Sequence, residues 1–212
     1  ERQPDENVIS RYSDGKTNIV FVGRIVPNKK IEDVIACFAA YKENYNSTAR
    51  LFLVGNYQET DRYYQYLQEY IKKCGVEDVI FPGHIAFDAI LAYYKIADVF
   101  LCMSEHEGFC VPLVEAMFFE TPIVAYASTA IPGTLGGSGV LMETKEPKMV
   151  AETMNQVMQD AEYRSEILKK QNERLKDFAY ESIRGQILDE IEKVQQSKID
   201  KVRKQNGEEK AD

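Results

Sequence analysis

Tryptophan is absent from the chain, and histidine occurs only twice, at His84 and His106. Two imidazoles are too few for a histidine-built metal centre. His106-Glu107 begins like a zinc-protease helix, but Cys110 stands where the second histidine is needed, and Gly108 and Pro112 break the helix required to present the pair. No metal is therefore expected. The four cysteines, Cys37, Cys74, Cys102 and Cys110, are widely spaced and none forms a Cys-x-x-Cys pair. Three lie in apolar surroundings, as buried free thiols do, which points to a reducing, cytoplasmic setting. Cys110 has no His and Asp partner set that would make it a nucleophile. There is no apolar stretch of bilayer length and no signal-like start. The first residue is Glu, so the chain reads as a fragment. Positive charge is also scarce: 26 Lys and Arg against 34 Asp and Glu leave a net charge of -8. That balance lacks the basic stripe a nucleic-acid binder needs. The 13 Tyr have no basic residues interleaved with them, which favours packing over base stacking.

What remains is an ordinary globular composition, 44% hydrophobic and 28% charged over 212 residues, enough for one α/β domain with its own core. Residues 1–17 are polar, carry Pro4 and Gly15, and read as a lead-in or linker. From Asn18 onward short apolar runs alternate with helical stripes. Runs at 18–22 and 50–54 each end in a glycine, Gly23 and Gly55, and further runs lie at 79–81, 99–103, 122–126 and 139–142. Between them Ile31, Val34, Ile35 and Phe38, then Tyr63, Tyr66, Leu67, Tyr70 and Ile71, recur at helical spacing. Uninterrupted apolar strands alternating with helices predict a parallel, six-stranded, three-layer Rossmann-like sheet over residues 18–160. Residues 161–195 read as a helical extension, and 196–212 as a polar tail that frays.

Chemistry-bearing residues gather after the strands, where open α/β sheets bind ligands. Gly23-Arg24-Ile25-Val26-Pro27-Asn28-Lys29-Lys30 puts two cations, Arg24 and Lys29, on the first strand-to-helix loop. Together they suit a diphosphate, although surface loops are often basic anyway. The loop has neither the Walker spacing nor the Gly-x-Gly-x-x-Gly of dinucleotide folds, which removes an NAD-linked reading. The richest stretch is residues 104–117, from Ser104-Glu105-His106-Glu107-Gly108 through Phe109-Cys110-Val111-Pro112 to Glu115-Ala116-Met117. It holds two carboxylates, Glu107 on a loop and Glu115 in an apolar helix. A Glu in such a helix is costly without a partner, and a ribose with adjacent hydroxyls would supply one. Free N–H groups at the helix start suit oxyanions. Gly83-His84-Ile85 opens onto the same edge; its backbone and Ile85 could pack on a flat ring, or it is an ordinary turn. The glycine-rich loop at 128–139 either faces a ligand or simply turns tightly.

Gly23-Arg24 with Lys29, then Glu107-Gly108-Phe109-Cys110-Val111-Pro112-Leu113-Val114-Glu115-Ala116, resemble the hallmarks of retaining glycosyltransferases of the GT-B fold. That large family includes sucrose synthase and bacterial mannosyl- and glucosyltransferases, and its Glu-x7-Glu signature is met by Glu107 and Glu115. The resemblance covers residues 18–160 and, more thinly, the helices to 194. It implies one half of a GT-B enzyme: the nucleotide-sugar domain, with an acceptor domain preceding it as partner. Peripheral membrane contact would come through that absent half.

The resemblance further implies a catalytic set of Glu107, Arg24 and Lys29. Arg24 and Lys29, beside Gly23, would contact the donor diphosphate. Glu107 would lie by the donor sugar, and Gly108, Phe109, Cys110 and Val111 near sugar and phosphate. Glu115 would take the ribose, and His84 with Ile85 would border the base. The implied ligand is a UDP- or GDP-hexose, with no other cofactor, and the implied reaction is hexose transfer with retention. Rival readings are a non-catalytic nucleotide-sugar binding module and a sugar-nucleotide epimerase. Three positions depart from the pattern: Cys110 and Glu120 stand where Gly is frequent, and Gly133 where an acid is common.

Overall fold

A computed structural model describes residues 3–179 and 182. Each apolar run became a strand: β1 (Asn18–Val22), β2 (Arg50–Val54), β3 (Val79–Ile80), β4 (Val99–Cys102), β5 (Ile123–Tyr126) and β6 (Val140–Met142). All pairings are parallel, and the six strands run in the order β3-β2-β1-β4-β5-β6. Every residue of β1, β2 and β4 is buried, which is why these strands read as continuous apolar runs rather than alternating ones.

The period-2 geometry sends neighbouring side chains to opposite faces. Ile19, Phe21, Leu51, Leu53, Leu101 and Met103 join a core with α2 (Ile31–Asn44) and α7 (Pro147–Gln159), through Val34, Phe38, Val150 and Met154. On the other face Phe52 meets Tyr93 of α4 (Phe87–Lys95) at 5.1 Å between ring centroids. Gly23 and Gly55 end β1 and β2 for a steric reason. A Cβ on Gly55 would stand 1.8 Å from the Gly23 carbonyl oxygen, so only glycine lets the two loops leave the sheet side by side.

Two segments hold helices that the sequence reading did not place. Residues 1–17, read as a lead-in or linker, contain the helix α1 (Glu6–Tyr12). Asp5 caps it by accepting from the Asn7 N–H, and Tyr12 packs edge-on against Phe52 at 4.7 Å. The loop at 128–139 contains a short helix, α6 (Ile131–Leu135), ended by Gly136 in the left-handed region. The remaining helices are α3 (Arg62–Cys74), α5 (Val111–Phe118) and α8 (Ala161–Leu175).

The chain divides after Arg174 into two compact units. Most of α8, read from sequence as the start of the helical extension, lies in the first unit with the sheet. Its fully buried Gln171 shows why, accepting from the Ile123 N–H at 3.0 Å and donating to the Thr121 carbonyl at 2.8 Å. In the second unit Lys176–Phe178 forms a 3-10 turn. The rest of the expected extension, residues 180–181 and 183–195, and the expected tail at 196–212 lie outside the described residues. Among the described residues no helix is long and apolar enough to cross a membrane.

Candidate functional site

The strand order reverses direction between β1 and β4, where the chain builds outward first to one side and then to the other. The loops leaving these two strands must diverge, which opens a crevice at their carboxyl ends. The β1 loop runs through Arg24 into a 3-10 turn at Pro27–Lys29, and Lys30 follows in the left-handed region. The β4 loop carries Ser104 to Cys110 into α5.

The two loops are joined directly. Lys29 Nζ lies 2.6 Å from both carboxylate oxygens of Glu107, and Glu107 is only 9% exposed. Beside this ion pair the Asn28 amide donates to the His106 carbonyl, and the Glu105 N–H donates to the Asn28 carbonyl, both at 3.0 Å. Glu105 is also held from outside by Lys145 at 2.8 Å, and Lys145 reaches Asp33 of α2 at 2.9 Å. The hydrogen bond from Lys145, reinforced by the charge of Lys30, holds the Glu105 carboxyl below its ordinary range.

A third segment backs the β4 loop. The Glu107 N–H donates to the Thr129 hydroxyl at 2.9 Å, and that hydroxyl donates to the Glu107 carbonyl at 3.1 Å. The Ser128 and Thr134 hydroxyls donate to the carbonyls of Ser104 and Phe109. The segment read as glycine-rich thus acts through its hydroxyls. Its threonines and serine were the available signal, and the glycines drew attention from them.

Glu115 sits in α5, half-buried, and its Oε2 accepts from the Tyr94 hydroxyl at 2.7 Å. Tyr94 is fully buried between Phe100 and Phe119, with ring centroids 5.9 and 5.8 Å away. Burial, and then the Glu115 carboxylate, push its phenol well above the usual value, so Tyr94 is the donor of this bond. The sequence showed that Glu115 needed a partner. It did not show Tyr94, which its helical stripe marks only as a core residue.

The remaining candidates are less tied down. Arg24 is exposed, and its side chain has no hydrogen bond or ion pair among the described residues. The backbone N–H groups of Gly108 and Cys110, on the loop and at the N-cap of α5, likewise have no acceptor there. Phe109 and Val111 are exposed at the head of that helix, His84 is exposed after β3, and Ile85 is half-buried. No hydrogen bond or ion pair among the described residues joins His84, Ile85 or Glu115 to the Lys29–Glu107 pair. His106, read from sequence against a zinc motif, is exposed and contributes its carbonyl to the loop contact.

A family model described as "Glycosyl transferases group 1" matches residues 3–174. The chain belongs to that family. An uncharacterised glycosyltransferase of Methanocaldococcus jannaschii is 29% identical over 158 residues, which cover 73% of this chain and 39% of that protein. The C-terminal domain of a glycosyl transferase group 1 family protein, LpcC, from Francisella tularensis has a TM-score of 0.68 at 25% identity, covering 82% of this chain and 94% of that one. Anabaena HepE, solved in complex with UDP and glucose, has a TM-score of 0.74 at 22% identity, covering 91% of this chain and 54% of that one. The chain spans less than half the length of the curated relatives it matches. The GT-B resemblance, the α/β class and the six-stranded parallel sheet stand as expected.

Proposed function

We propose that this chain is the donor-binding half of a retaining hexosyltransferase that uses a nucleoside diphosphate hexose, with UDP or GDP as the nucleotide. The Lys29–Glu107 pair at the β1/β4 switch point is the observation that carries the reading. It fixes a cation and a carboxylate side by side, while Arg24 on the same β1 loop and the N–H groups of Gly108 and Cys110 on the β4 loop have no partner among the described residues. Loss of a nucleoside diphosphate builds negative charge on phosphate oxygens while the sugar carbon takes on oxocarbenium character. Arg24, Lys29 and the α5 amino end supply preorganised positive potential for the first change, and Glu107 negative charge for the second. Glu115, one oxygen already fixed by Tyr94, keeps the other for a ribose hydroxyl, and His84 with Ile85 borders the base. Retention and the hexose follow from the Glu-x7-Glu resemblance. UDP and glucose bound to HepE support the donor class.

Transfer needs both reactants held in near-attack geometry with water excluded. In this reading the acceptor half comes from a separate Rossmann-like domain, so the chain alone binds donor without transferring it. Calorimetry with UDP, GDP and their hexose conjugates tests this. The expected result is weak binding of at least one nucleotide that falls by about 1–3 kcal/mol in Arg24→Ala, the loss expected for a charge-assisted hydrogen bond. Absence of binding to every nucleotide, or sugar transfer by the chain alone, would count against the proposal.

A further inference from the structure

Cys102, Glu107 and Cys110 bring two thiol sulfurs and a carboxylate oxygen to within 4.8 Å of one another, and all three side chains are buried. They come from one strand-loop-helix junction: Cys102 ends β4, Glu107 lies on the loop, and Cys110 caps α5 in a left-handed conformation, φ 66°. Two soft donors and one hard donor converging in a dry place match the ligand set of a thiophilic metal. Zinc takes thiolate at about 2.3 Å and carboxylate at about 2.0–2.2 Å, which puts neighbouring ligand atoms about 3.5–3.8 Å apart. A spread of at most 4.8 Å closes to that by side-chain adjustment of about 1 Å. Magnesium or calcium would need a shell of oxygens, and two of the three donors here are sulfur. The Lys29 ammonium, its side chain 17% exposed, already holds the Glu107 carboxylate of this cluster at 2.6 Å.

We propose that Cys102, Cys110 and Glu107 form a site for a thiophilic divalent cation of the zinc class, with the fourth position taken by water from the crevice. Binding breaks two S–H bonds, forms two metal–thiolate bonds and one metal–carboxylate bond, and delivers two protons to the buffer. The Lys29–Glu107 ion pair is given up, and the ammonium swings to solvent. Lys29 is thus a built-in competitor for the cation. The proposal shares Glu107 with the donor site but does not rest on the donor reading, because its test uses metal alone.

Cadmium titrated into the reduced, chelator-treated chain should produce a thiolate-to-metal charge-transfer band in the ultraviolet that saturates at one equivalent. Cys102→Ser and Cys110→Ser should each weaken that binding at least tenfold, whereas Cys37→Ser and Cys74→Ser should leave it unchanged. Lys29→Ala should tighten it about tenfold, which adventitious capture by surface thiols would not show. Calorimetry of the unaltered chain in buffers of different ionisation enthalpy should count about two protons released per cation. That measurement stands even if a serine variant fails to fold. Equal affinity in the Cys102→Ser and Cys110→Ser variants, no effect of Lys29→Ala, or no proton release would overturn the site.

Discussion

Lys29 and Glu107, 78 residues apart in the chain, meet in an ion pair whose nitrogen is 2.6 Å from both carboxylate oxygens. The pair joins the loops after β1 and β4, the two strands between which the strand order reverses. It also sets an asymmetry: removing the lysine strands a buried charge, whereas neutralising both partners does not. Lys29→Ala should cost about 3 kcal/mol of stability. Lys29→Ala combined with Glu107→Gln should cost less than Lys29→Ala alone. Urea unfolding of the two single variants and the double variant measures the coupling, and simple additivity would show that the pair does not hold the loops.

Tyr94 changes how Glu115 must be tested. Glu115→Ala leaves the buried Tyr94 hydroxyl without its acceptor, a penalty of about 1–3 kcal/mol that has nothing to do with a ligand. Glu115→Gln keeps an acceptor and should be much milder in thermal unfolding. Tyr94→Phe removes the donor, freeing Glu115 to rotate. In calorimetry it should weaken ribonucleotides while scarcely changing binding of 2′,3′-dideoxy analogues. Equal losses for both ligand types would take Glu115 off the ribose.

The central strands were legible because burial on both faces leaves only their first residues, Asn18 and Arg50, polar in β1 and β2, and Gly23 and Gly55 mark the ends of these two sharply. Lys29 and Glu107 drew notice as charged residues on loops after strands, but their pairing with each other was not legible, because no spacing records a contact across 78 residues. Helix α1 was not legible, since none of its residues is buried and its composition is that of a linker. Tyr94 and Thr129 were hidden for a different reason. Their roles are hydrogen bonds across 21 and 22 residues, one from Tyr94 and two at Thr129, and neither hydrophobic period nor motif spacing records such bonds.

Thr129 should behave as a positioning residue. Its hydroxyl serves both the N–H and the carbonyl of Glu107. Thr129→Val keeps the shape and removes both bonds, so amide exchange at Glu107 should rise. Stability should fall by about 1–2 kcal/mol, the cost of leaving partly buried backbone groups unpaired. Thr129→Ser should restore both. If Thr129→Ser behaved like Thr129→Val, the hydroxyl would not be what holds the loop.

The Glu105 cluster gives a pH signature. Its carboxyl is held below the ordinary 4.5 by the hydrogen bond from Lys145 and by the charges of Lys145 and Lys30. A carboxyl lowered on folding stabilises the native state above its unfolded pKa, and that contribution is lost as pH falls through the lower folded value. The difference in melting temperature between the unaltered chain and Glu105→Gln should therefore be constant above about pH 5 and shrink below about pH 4. Because Glu105 is exposed, the difference should also fall with added salt. A difference that persists at low pH would mean that the side chain acts through packing rather than charge.

Glu120 and Cys110 explain each other. Both adopt the left-handed backbone that favours glycine, at φ 53° and 66°. Glu120 follows α5, with its N–H donating to the Met117 carbonyl and the Thr121 N–H to the Ala116 carbonyl, a helix ending that favours glycine. Among the described residues its side chain is held only by a 3.3 Å hydrogen bond from the Asn172 amide at the surface. Glu120→Gly should therefore raise stability by about 0.5–1 kcal/mol, relief of left-handed strain less the extra entropy of the unfolded chain. Cys110→Gly relieves the same strain but deletes a buried sulfur, so the two effects should nearly cancel. That variant should also lose cadmium binding while remaining folded. The pair of melting curves separates the backbone demand, shared by both positions, from the chemistry that only Cys110 carries. If Glu120→Gly were destabilising, left-handed strain would not be what glycine relieves at these positions.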